Sequence, residues 1–525
     1  MFTQEQGLYI AHGPNGPISI IGKMANRHGL IAGATGTGKT VSLQVMAESF
    51  CQAGVPCFMA DMKGDLSGIS QGGKMSGFIE KRLPEFGLTD PQFQPCPVRF
   101  YDVYGEQGHP MRATVSQMGP ELLSRILGLN DTQNGVMNIL FRIADDRGLL
   151  LDDLKDLRSM LDYIAKNARD FTTKYGIIST ASVGAIQRAL LQLENQGADK
   201  FFGIPSFEIR DLLDTENGKG VMSVLAADKL MLQPKLYSTF LLWLLSELYT
   251  TLPEVGDMDL PKLIFFFDEA HMLFEDTSKA LVDKIEQVIR LIRSKGVGIY
   301  FVTQSPTDIP QIILGQLGNR VQHALRAYTP KDQRTVKTAA DTFRSNPDFK
   351  TDEAIMNLET GEALVSFLDE KGAPEIVQRA KILFPLSQIG AITVGQRDDI
   401  IRQSRIYRKY DELKERDSAF EVLLEESEKA MKEAEEAAAA AEEEKEKAKK
   451  GKKQSIFGKV IKAIITAITG AIATIIGTKV SDAVTGKKTK SKTSVTGKIA
   501  KNATSAATRT VTRELTRDIL GNLVK

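Results

Sequence analysis

The chain has 525 residues, which is too long for one ordinary hydrophobic core and long enough for several domains, or for one large α/β domain with insertions and a tail. Its 67 basic and 66 acidic side chains nearly balance, which argues against a protein that coats nucleic acid uniformly. A balanced total is still compatible with separate acidic and basic regions along the chain. The three cysteines lack the spacing of a disulfide framework or a zinc site, and the first ten residues, MFTQEQGLYI, lack the features of a secretory signal. We therefore expect a cytoplasmic protein with reduced cysteines.

Five apolar runs end in glycine or polar residues, and helix-length segments separate most of them. The runs are HGLIAGATG, VPCFMADMKGD, KLIFFFDEAH, VGIYFVTQSP and HALRAYTP, which begin at residues 28, 55, 262, 297 and 323. Strands that alternate with helices form parallel βαβ units, whose ligands bind at the carboxyl ends of the strands. The sequence therefore predicts an α/β fold with a mainly parallel sheet, whose first part lies in residues 1–109.

The first of these runs continues into IAGATGTGKT, residues 31–40, which fits the phosphate-loop pattern of a glycine, four residues, and then Gly38, Lys39 and Thr40. An apolar strand precedes the loop and an amphipathic helix follows it. The glycines let successive backbone N–H groups point at phosphate oxygens, Lys39 neutralises the β- and γ-phosphates, and the hydroxyl of Thr40 binds Mg²⁺. The predicted nucleotide-binding residues are Gly33, Ala34, Thr35, Gly36, Thr37, Gly38, Lys39, Thr40 and Val41.

Residues 110–200 differ in character, because leucine, isoleucine, methionine and charged residues recur at helical spacing with no strand-like run between them. This pattern predicts a helical insertion, and the second part of the α/β core is expected in residues 201–400. Residues 236–252 form the most apolar helical stretch of the first 400, but Glu247 interrupts it. The uninterrupted run is shorter than the roughly 20 residues of a membrane span, so we interpret this stretch as a core helix.

The run KLIFFFDEAH supplies the carboxylates that a phosphate loop needs for hydrolysis. We expect Asp268 to hold Mg²⁺ together with Thr40, and Glu269 to orient or deprotonate the attacking water. Adjacent acids at the end of a buried strand are costly unless they serve an ion or a substrate, which favours this role over a solvated turn. Because the guanine-recognition motif Asn-Lys-x-Asp does not occur, ATP with Mg²⁺ is the expected nucleotide.

Two further strand ends carry polar residues at the same edge of the predicted sheet. VGIYFVTQSP contains Thr303 and Gln304 near its end, and we expect Gln304 to contact the γ-phosphate or its water. In MADMKGD, Asp61, Lys63 and Asp65 fit either a functional role at this edge or a tight turn, and the sequence does not distinguish the two.

In this order, GATGTGKT, MADMKGDLSG, FFFDEAH and GIYFVTQSP resemble the motifs of the HerA/FtsK superfamily of ring-forming, DNA-pumping ATPases, and in particular its bacterial HerA-like (YjgR-type) group. The resemblance covers roughly residues 5–400, and the basic ending TRTVTRELTRDILGNLVK is also similar. It implies a RecA-like ATPase core, a homohexameric ring and ATP-driven movement of, or along, double-stranded DNA. HerA itself carries an amino-terminal β-barrel that docks a nuclease, whereas the phosphate loop here begins at residue 33, so we do not expect a nuclease partner.

The resemblance also implies an arginine that reaches across a subunit boundary to the neighbour's γ-phosphate. Arg293, in LIRSKGVGIYFVTQ, lies 25 positions after Asp268 and matches that position, so we expect it to act as an arginine finger. The alternative is a charge on an exposed helix face, since Arg290 and Lys295 are its neighbours. Arg320, in LGNRVQHALRAYTP, is the second candidate.

The letters DEAH are also the signature of a helicase superfamily with two tandem RecA-like domains, but this sequence shows a single phosphate-loop core. Two other functions remain open. One is a protein-pumping or conjugation-coupling ATPase with the same core, and the other is a scaffold whose assembly is set by nucleotide. The sequence lacks a basic stripe or an aromatic stacking motif that would decide between them, and we expect the pore loops that would grip a polymer in the helical insertion.

Beyond residue 400 the sequence becomes a tail with strongly segregated charge. Residues 401–450 predict a projecting, charged helical spacer or a weak coiled coil, with partial disorder as the alternative. Residues 411–450 hold 15 acidic and 8 basic side chains, whereas residues 451–525 hold 3 acidic and 15 basic ones. Because lysines flank the apolar segment 456–480, this tail either packs against the core or neighbouring subunits, lies on an anionic membrane surface, or contacts DNA.

Overall fold

The computed structural model describes residues 2–3, 7–256, 258–274 and 279–449. Its strands are β1 (Phe2–Thr3), β2 (Gly7–Gly13), β3 (Gly16–Ile20), β4 (Gly29–Ala32), β5 (Cys57–Asp61), β6 (Val98–Asp102), β7 (His109–Pro110), β8 (Thr215–Glu216), β9 (Lys219–Gly220), β10 (Met222–Ala226), β11 (Leu263–Phe267), β12 (Val297–Thr303), β13 (Asn319–Gln322), β14 (Glu362–Ser366) and β15 (Gln378–Ile382). Its α-helices are α1 (Lys39–Gln52), α2 (Gly77–Arg82), α3 (Val115–Ile126), α4 (Asp131–Arg147), α5 (Leu154–Lys166), α6 (Ala168–Tyr175), α7 (Thr180–Glu194), α8 (Ala198–Phe201), α9 (Pro234–Thr251), α10 (Lys279–Ile292), α11 (Gln311–Leu314), α12 (Pro330–Ala340), α13 (Thr351–Met356), α14 (Val394–Gln403) and α15 (Ala419–Lys449). The chain divides into two compact units after residue 419, and the described part of the second unit is helix α15.

Thirteen of these strands form one sheet in the order β1-β2-β15-β14-β13-β4-β12-β11-β5-β10-β6-β7, with β3 paired to β2. Every neighbouring pair from β13 to β7 is parallel. On the other side of β13, the pairings through β14, β15 and β2 are antiparallel. The predicted α/β fold with a mainly parallel, helix-flanked sheet is therefore confirmed.

The central strands are apolar runs because both of their faces are covered. Every residue of β4, β5, β11 and β12 is buried, as is typical of parallel strands. Helix α1 buries ten of its 14 residues, and its Phe50 packs against Phe266 of β11 and Tyr300 of β12. The helix that follows the phosphate loop is thus anchored in the centre of the core.

Helices α3 to α8 occupy most of the segment predicted as a helical insertion. Thr114, Asn130 and Asp153 cap α3, α4 and α5, and in each case the side chain three positions later accepts a hydrogen bond from the backbone N–H of the cap residue. The apolar stretch interpreted as a core helix is α9, in which every residue from 236 to 245 is buried. Among the described residues, no helix combines the length and the apolar character that a membrane span requires.

Residues 404–418 separate α14 from α15 and are not helical. The hydroxyl of Tyr410 donates to Oδ2 of Asp211 at 2.5 Å, and the guanidinium of Arg416 donates to both carboxylate oxygens of Asp152 at 2.6 and 2.7 Å. These contacts hold the segment against the rest of the first unit. The charged helix expected over residues 401–450 begins only at Ala419. The basic tail predicted over residues 451–525 lies outside the described residues.

A small helical hairpin connects β13 to β14. The α12–α13 hairpin spans residues 324–361, and its apolar residues form a cluster with Leu364 of β14 and Val377. Both of its ends are bonded to the phosphate loop. The N–H of Ala34 donates to the C=O of Ala324 at 2.8 Å, and the N–H of Gly361 donates to the C=O of Thr37 at 3.2 Å.

Candidate nucleotide site

Four neighbouring parallel strands bring the predicted site residues to one edge of the sheet. Strand β4 leads into the phosphate loop, β12 into Gln304, β11 into Asp268 and Glu269, and β5 into Lys63. Because parallel strands all end on the same side, these segments lie together. The order β4-β12-β11 places one additional strand between the phosphate loop and the acid pair.

The phosphate loop has a backbone that glycine adopts more readily than any other residue. Gly36 has a φ of 78° and Gly38 a φ of 114°. A Cβ atom on Gly33 would lie 2.5 Å from the Cβ of His323, so close packing behind the loop also requires glycine. Gly38 caps α1 without a side-chain hydrogen bond, so the first N–H groups of this 14-residue helix are suited to phosphate oxygens.

Lys39 lies over the loop that it follows. Its ammonium group donates to the C=O of Gly33 at 2.6 Å and to the C=O of Ala34 at 3.0 Å. Burial lowers the pKa of Lys39, and the nearby carboxylates of Glu269 and Asp268 act in the opposite direction. The positive charge of this residue therefore lies between the loop and the acid pair.

The other loop residues differ in exposure. Thr35 and Gly36 are exposed at the tip, whereas Thr37 is buried. Thr40 is partly exposed in the first turn of α1. Val41 packs against the core, so its side chain supports the loop from behind.

The acid pair follows β11. Asp268 is 5% exposed, and its Oδ1 accepts a hydrogen bond from the N–H of Glu269 at 3.0 Å. Burial, and after it the charge of Glu269, raises the pKa of Asp268 to about 6. A buried anion beside a second carboxylate is stabilised by a cation, which fits the expected role of Asp268 as a Mg²⁺ ligand.

Glu269 has a left-handed backbone, with φ and ψ both 46°, which is uncommon for a residue with a Cβ atom. Its Oε1 accepts a hydrogen bond from Nζ of Lys63 at 2.6 Å, and its Oε2 lies 3.5 Å from both Nε2 of Gln304 and Nδ1 of His271. Burial raises the pKa of Glu269, but the hydrogen bond and charge of Lys63 outweigh it, so the net shift is downward. The structure thus brings Glu269 and Gln304 together and adds Lys63 to the site.

The sequence left open whether the polar residues of MADMKGD have a functional role at this edge or form a tight turn. In the structure, Asp61 and Lys63 differ in this respect. Asp61 is buried and its Oδ1 accepts a hydrogen bond from the N–H of Gly64 at 2.8 Å, so it closes a tight turn. Burial, followed by the charge of Asp65, raises the pKa of Asp61 to about 7. Lys63, by contrast, extends to the acid pair.

Arg293 lies at the opposite edge of the sheet from its own phosphate loop. It begins the 3₁₀ segment Arg293–Lys295, directly before β12, whereas Gln304 directly follows β12. The seven residues of this strand span about 20 Å. Arg293 is therefore too far away to contact a nucleotide bound to the phosphate loop of its own chain.

Arg320 is bound inside its own subunit. Its guanidinium donates at 2.9 to 3.1 Å to the carbonyl groups of Leu314, Leu317 and Thr342. A guanidinium that satisfies three backbone carbonyls supports the fold at β13, and this disfavours Arg320 as an arginine finger.

His323 is a supporting residue that the sequence analysis missed. It is buried, its Nε2 lies 2.7 Å from the hydroxyl of Ser42 in α1, and its Nδ1 lies 2.9 Å from the C=O of Glu362. Burial lowers the pKa of His323 to about 4, so the ring is neutral at pH 7. It positions the phosphate loop by packing behind Gly33. The available signal was a polar residue after a strand, which is too common to identify such a role.

The geometry defines the class of protein. A phosphate loop after β4, an acid pair after β11 and one strand between them make this chain a P-loop ATPase with a RecA-like core. The sequence matches the family described as Helicase HerA-like C-terminal over residues 7–525, and the chain belongs to this family. The resemblance indicated by its motifs is therefore confirmed. A comparison with curated proteins finds no match.

Solved structures that are similar to this chain have low sequence identity to it. The bacterial conjugative coupling protein TrwBdeltaN70, in its unbound monoclinic form, is 16% identical, with 73% of this chain and 91% of that chain covered and a TM-score of 0.48. VirB4 of Thermoanaerobacter pseudethanolicus is 14% identical, with coverages of 73% and 97% and a TM-score of 0.46. The plasmid coupling protein TrwB in complex with the non-hydrolysable ATP analogue ADPNP is 17% identical, with coverages of 72% and 91% and a TM-score of 0.46. Similarities at this level say nothing about function.

The residues of the site fit ATP and Mg²⁺. A Cβ atom on Gly36 would have no neighbour within 4 Å, so the tip of the loop has room for a ligand. Lys39 has the positive charge that suits phosphates, and Asp268 and Thr40 have side-chain oxygens of the kind that Mg²⁺ accepts alongside phosphate oxygens. Bound ATP supplies the phosphoryl group that water attacks. ATP and Mg²⁺ are therefore the nucleotide and the metal of this site.

Proposed function

We propose that this protein is the subunit of a hexameric, ATP-driven motor that acts on double-stranded DNA. Membership of the Helicase HerA-like C-terminal family supports this function. The observation that carries the proposal of a ring is the location of Arg293, at the opposite edge of the sheet from its own phosphate loop. An arginine finger at that edge completes the nucleotide site of a neighbouring subunit, so activity requires assembly.

The residues that follow β4, β11 and β12 divide the proposed hydrolysis among them. The loop N–H groups and Lys39 bind the phosphates, and Asp268 and Thr40 hold Mg²⁺. Glu269 orients or deprotonates the water, and Gln304 contacts the γ-phosphate or that water. Arg293 of the neighbouring subunit stabilises the charge that develops on the transferred phosphoryl group.

Mixing two inactive variants tests the assembly. Arg293→Ala retains the phosphate loop and Lys39→Ala retains the finger, so mixed rings contain interfaces at which an intact loop faces an intact arginine. We expect each variant alone to lose about 10³-fold in ATP turnover, and the mixture to recover measurable turnover. Arg290→Ala is the control, because Arg290 is an exposed arginine on α10 that should leave turnover unchanged. Rings shown to be mixed but without any recovery would contradict a role of Arg293 in trans.

The DNA substrate is tested by turnover and by electron microscopy. We expect duplex DNA to stimulate ATP turnover and to lie in the central channel of rings imaged with ATP. Rings that turn over ATP equally fast with and without DNA, and that image empty, would instead favour a protein-pumping or conjugation-coupling ATPase. Assembly that needs ATP with negligible turnover would favour a nucleotide-gated scaffold.

A further inference from the structure

The ion pair between Lys63 and Glu269 has no task in the hydrolysis described above. Nζ of Lys63 lies 2.6 Å from Oε1 of Glu269, with the carboxylate side chain 9% exposed and the lysine side chain 52% exposed. The two residues follow neighbouring parallel strands, β5 and β11, and are 206 positions apart in the sequence. The contact is therefore produced by the fold and does not arise from local chain geometry.

This ion pair competes with the proposed role of Glu269. Lys63 binds Oε1, and Oε2 lies between Gln304 and His271, each 3.5 Å away. A carboxylate that positions or deprotonates water must present an oxygen to that water at hydrogen-bond distance. Oε1 is engaged by Lys63, whereas the contacts of Oε2 at 3.5 Å are long, so the ion pair restrains how the carboxylate of Glu269 can turn toward the water.

The γ-phosphate of ATP offers Lys63 another partner. Lys63 bonds Glu269, which also lies 3.5 Å from Gln304 after β12, and β12 pairs with β4, the strand that leads into the phosphate loop. Lys39 lies over the loop that binds the phosphates. A lysine ammonium on a flexible four-carbon stem can turn from a carboxylate to a nearby phosphate. ADP lacks the γ-phosphate and offers no such partner.

We propose that Lys63 is a positioning residue that holds Glu269 until the γ-phosphate of ATP attracts its ammonium group and so releases the carboxylate toward the attacking water. This inference rests on the proposed role of Glu269. With ADP bound, the ion pair stays in place and Glu269 remains withheld.

Two complexes of the full-length protein test the movement directly. Electron cryomicroscopy of rings with Mg²⁺–ADP should show Nζ of Lys63 at hydrogen-bond distance from Glu269. With Mg²⁺ and a non-hydrolysable ATP analogue, Nζ should lie on the γ-phosphate and the carboxylate of Glu269 should face the position of the water. Lys63 still paired with Glu269 in the analogue complex would overturn the proposal.

Nucleotide affinities provide the energetic test. We expect Lys63→Met to decrease the preference for the ATP analogue over ADP about tenfold, because only the analogue gains the contact with Lys63. Lys63→Arg should retain most of the preference, since a guanidinium also binds both carboxylate and phosphate. Equal losses of affinity for the analogue and for ADP would indicate a merely structural lysine and would overturn the proposal.

Lys409→Met is the matched control. Nζ of Lys409 lies 3.0 Å from Oδ2 of Asp211, with the lysine side chain 34% exposed and the carboxylate side chain 13% exposed, which is similar to the pair in the site. Neither residue lies at the carboxyl edge of the sheet. This variant should leave the nucleotide preference unchanged, and a tenfold change would show that the effect of Lys63→Met is not specific.

Glu269→Gln separates a failure of this inference from a failure of the proposed function. If a Glu269→Gln protein turns over ATP at the wild-type rate, Glu269 does not activate the water. The proposed function of Glu269 then fails, and the inference about Lys63 fails with it. An inactive Glu269→Gln protein, combined with a wild-type Lys63 that does not move, would overturn the inference alone.

Discussion

The two edges of the central parallel sheet each hold a polar residue with a left-handed backbone, but in opposite surroundings. At the amino-terminal edge, His28 has a φ of 57°, its Nε2–H donates to the C=O of Ile289 at 2.9 Å, and its Nδ1 accepts from the N–H of Ile299 at 3.0 Å. At the carboxyl edge, Glu269 has a φ of 46° and shares one carboxylate among several neighbours, of which Lys63 is the nearest. An unusual backbone conformation thus does not by itself mark a functional site. What distinguishes the proposed ligand-binding edge is that the hydrogen-bond partners of its polar side chains can be replaced by a ligand.

Two further polar side chains near His28 are equally well satisfied. The side-chain amide of Asn319 donates to the carbonyls of Met24 and His28 at 3.0 and 3.2 Å, and the hydroxyl of Tyr300 donates to the C=O of Ala25 at 3.0 Å. Buried polar groups that are all paired make a rigid structure. We therefore expect changes at this edge to affect stability, and changes at the carboxyl edge to affect catalysis.

The largest expected effect comes from Glu269→Gln, which alters the carboxyl edge alone. Turnover of ATP should fall about 10²- to 10⁴-fold, because a positioned proton acceptor typically contributes this much, while ATP still binds. Turnover and ATP affinity should be measured on the same preparation. Glu247→Gln is the control, because Glu247 is a partly buried acid on α9 whose pKa burial raises, and it should keep wild-type turnover. Wild-type turnover in Glu269→Gln would contradict the assignment of the water-activating group.

A smaller effect is expected at the amino-terminal edge, from the pH dependence of His28. Burial lowers the pKa of His28 to about 4, whereas an unfolded histidine has a pKa of about 6.5. Protonation therefore favours the unfolded chain, and the stabilising effect of the neutral ring is complete above pH 6.5 and lost as the pH falls toward 4. This loss is of the order of 3 kcal/mol in the free energy of unfolding at pH 4.

His28→Gln should make the free energy of unfolding less dependent on pH in this window. Up to one proton fewer should be taken up on unfolding, and the slope of the free energy against pH falls in proportion. Urea unfolding from pH 7 down to pH 4.5 measures the slope. His323, whose pKa burial also lowers to about 4, is present in both proteins and cancels in the comparison. Equal slopes for the two proteins would show that His28 is not a buried neutral group.

The smallest expected effect concerns the backbone of Glu269. A left-handed residue with a Cβ atom costs about 1 kcal/mol relative to glycine, so Glu269→Gly should be more stable than Glu269→Ala by about that amount. At Asn138, exposed in the middle of α4, the order should reverse, because glycine is the poorer helix former. Denaturant unfolding of the four variants measures both differences. The same order at both positions would contradict the left-handed conformation of Glu269.

The parts of the site that the sequence could predict are each a short, continuous segment of the chain. The phosphate loop and the Asp268–Glu269 pair each follow an apolar strand within ten residues, so local pattern is sufficient to find them. The contact of Lys63 with Glu269 depends on β5 lying beside β11 in the sheet, and the support from His323 depends on β13 lying beside β4. Strand neighbours of this kind are set by the whole fold, and no local pattern encodes them.

The same limit explains the less accurate predictions. Arg293 and Arg320 are similar in the sequence, and only the tertiary structure shows that Arg320 binds three carbonyls of its own subunit. The composition of residues 401–450 predicts a helix but not where it begins, because Arg416 binds Asp152, which is 264 positions away. Long-range ion pairs of this kind override local helix propensity.

The α12–α13 hairpin has a mechanical consequence for the phosphate loop. It is attached to the loop by two hydrogen bonds, at Ala34 and Thr37, which are three residues apart. The hairpin is in turn fixed to the sheet, because the guanidinium of Arg320 in β13 donates to the C=O of Thr342 and the N–H of Val377 donates to the C=O of Arg344, both at 3.0 Å. The phosphate loop is therefore braced from outside as well as by its own glycines. A loop that is already ordered loses little conformational entropy when it binds a phosphate, so more of its hydrogen-bond energy remains as affinity.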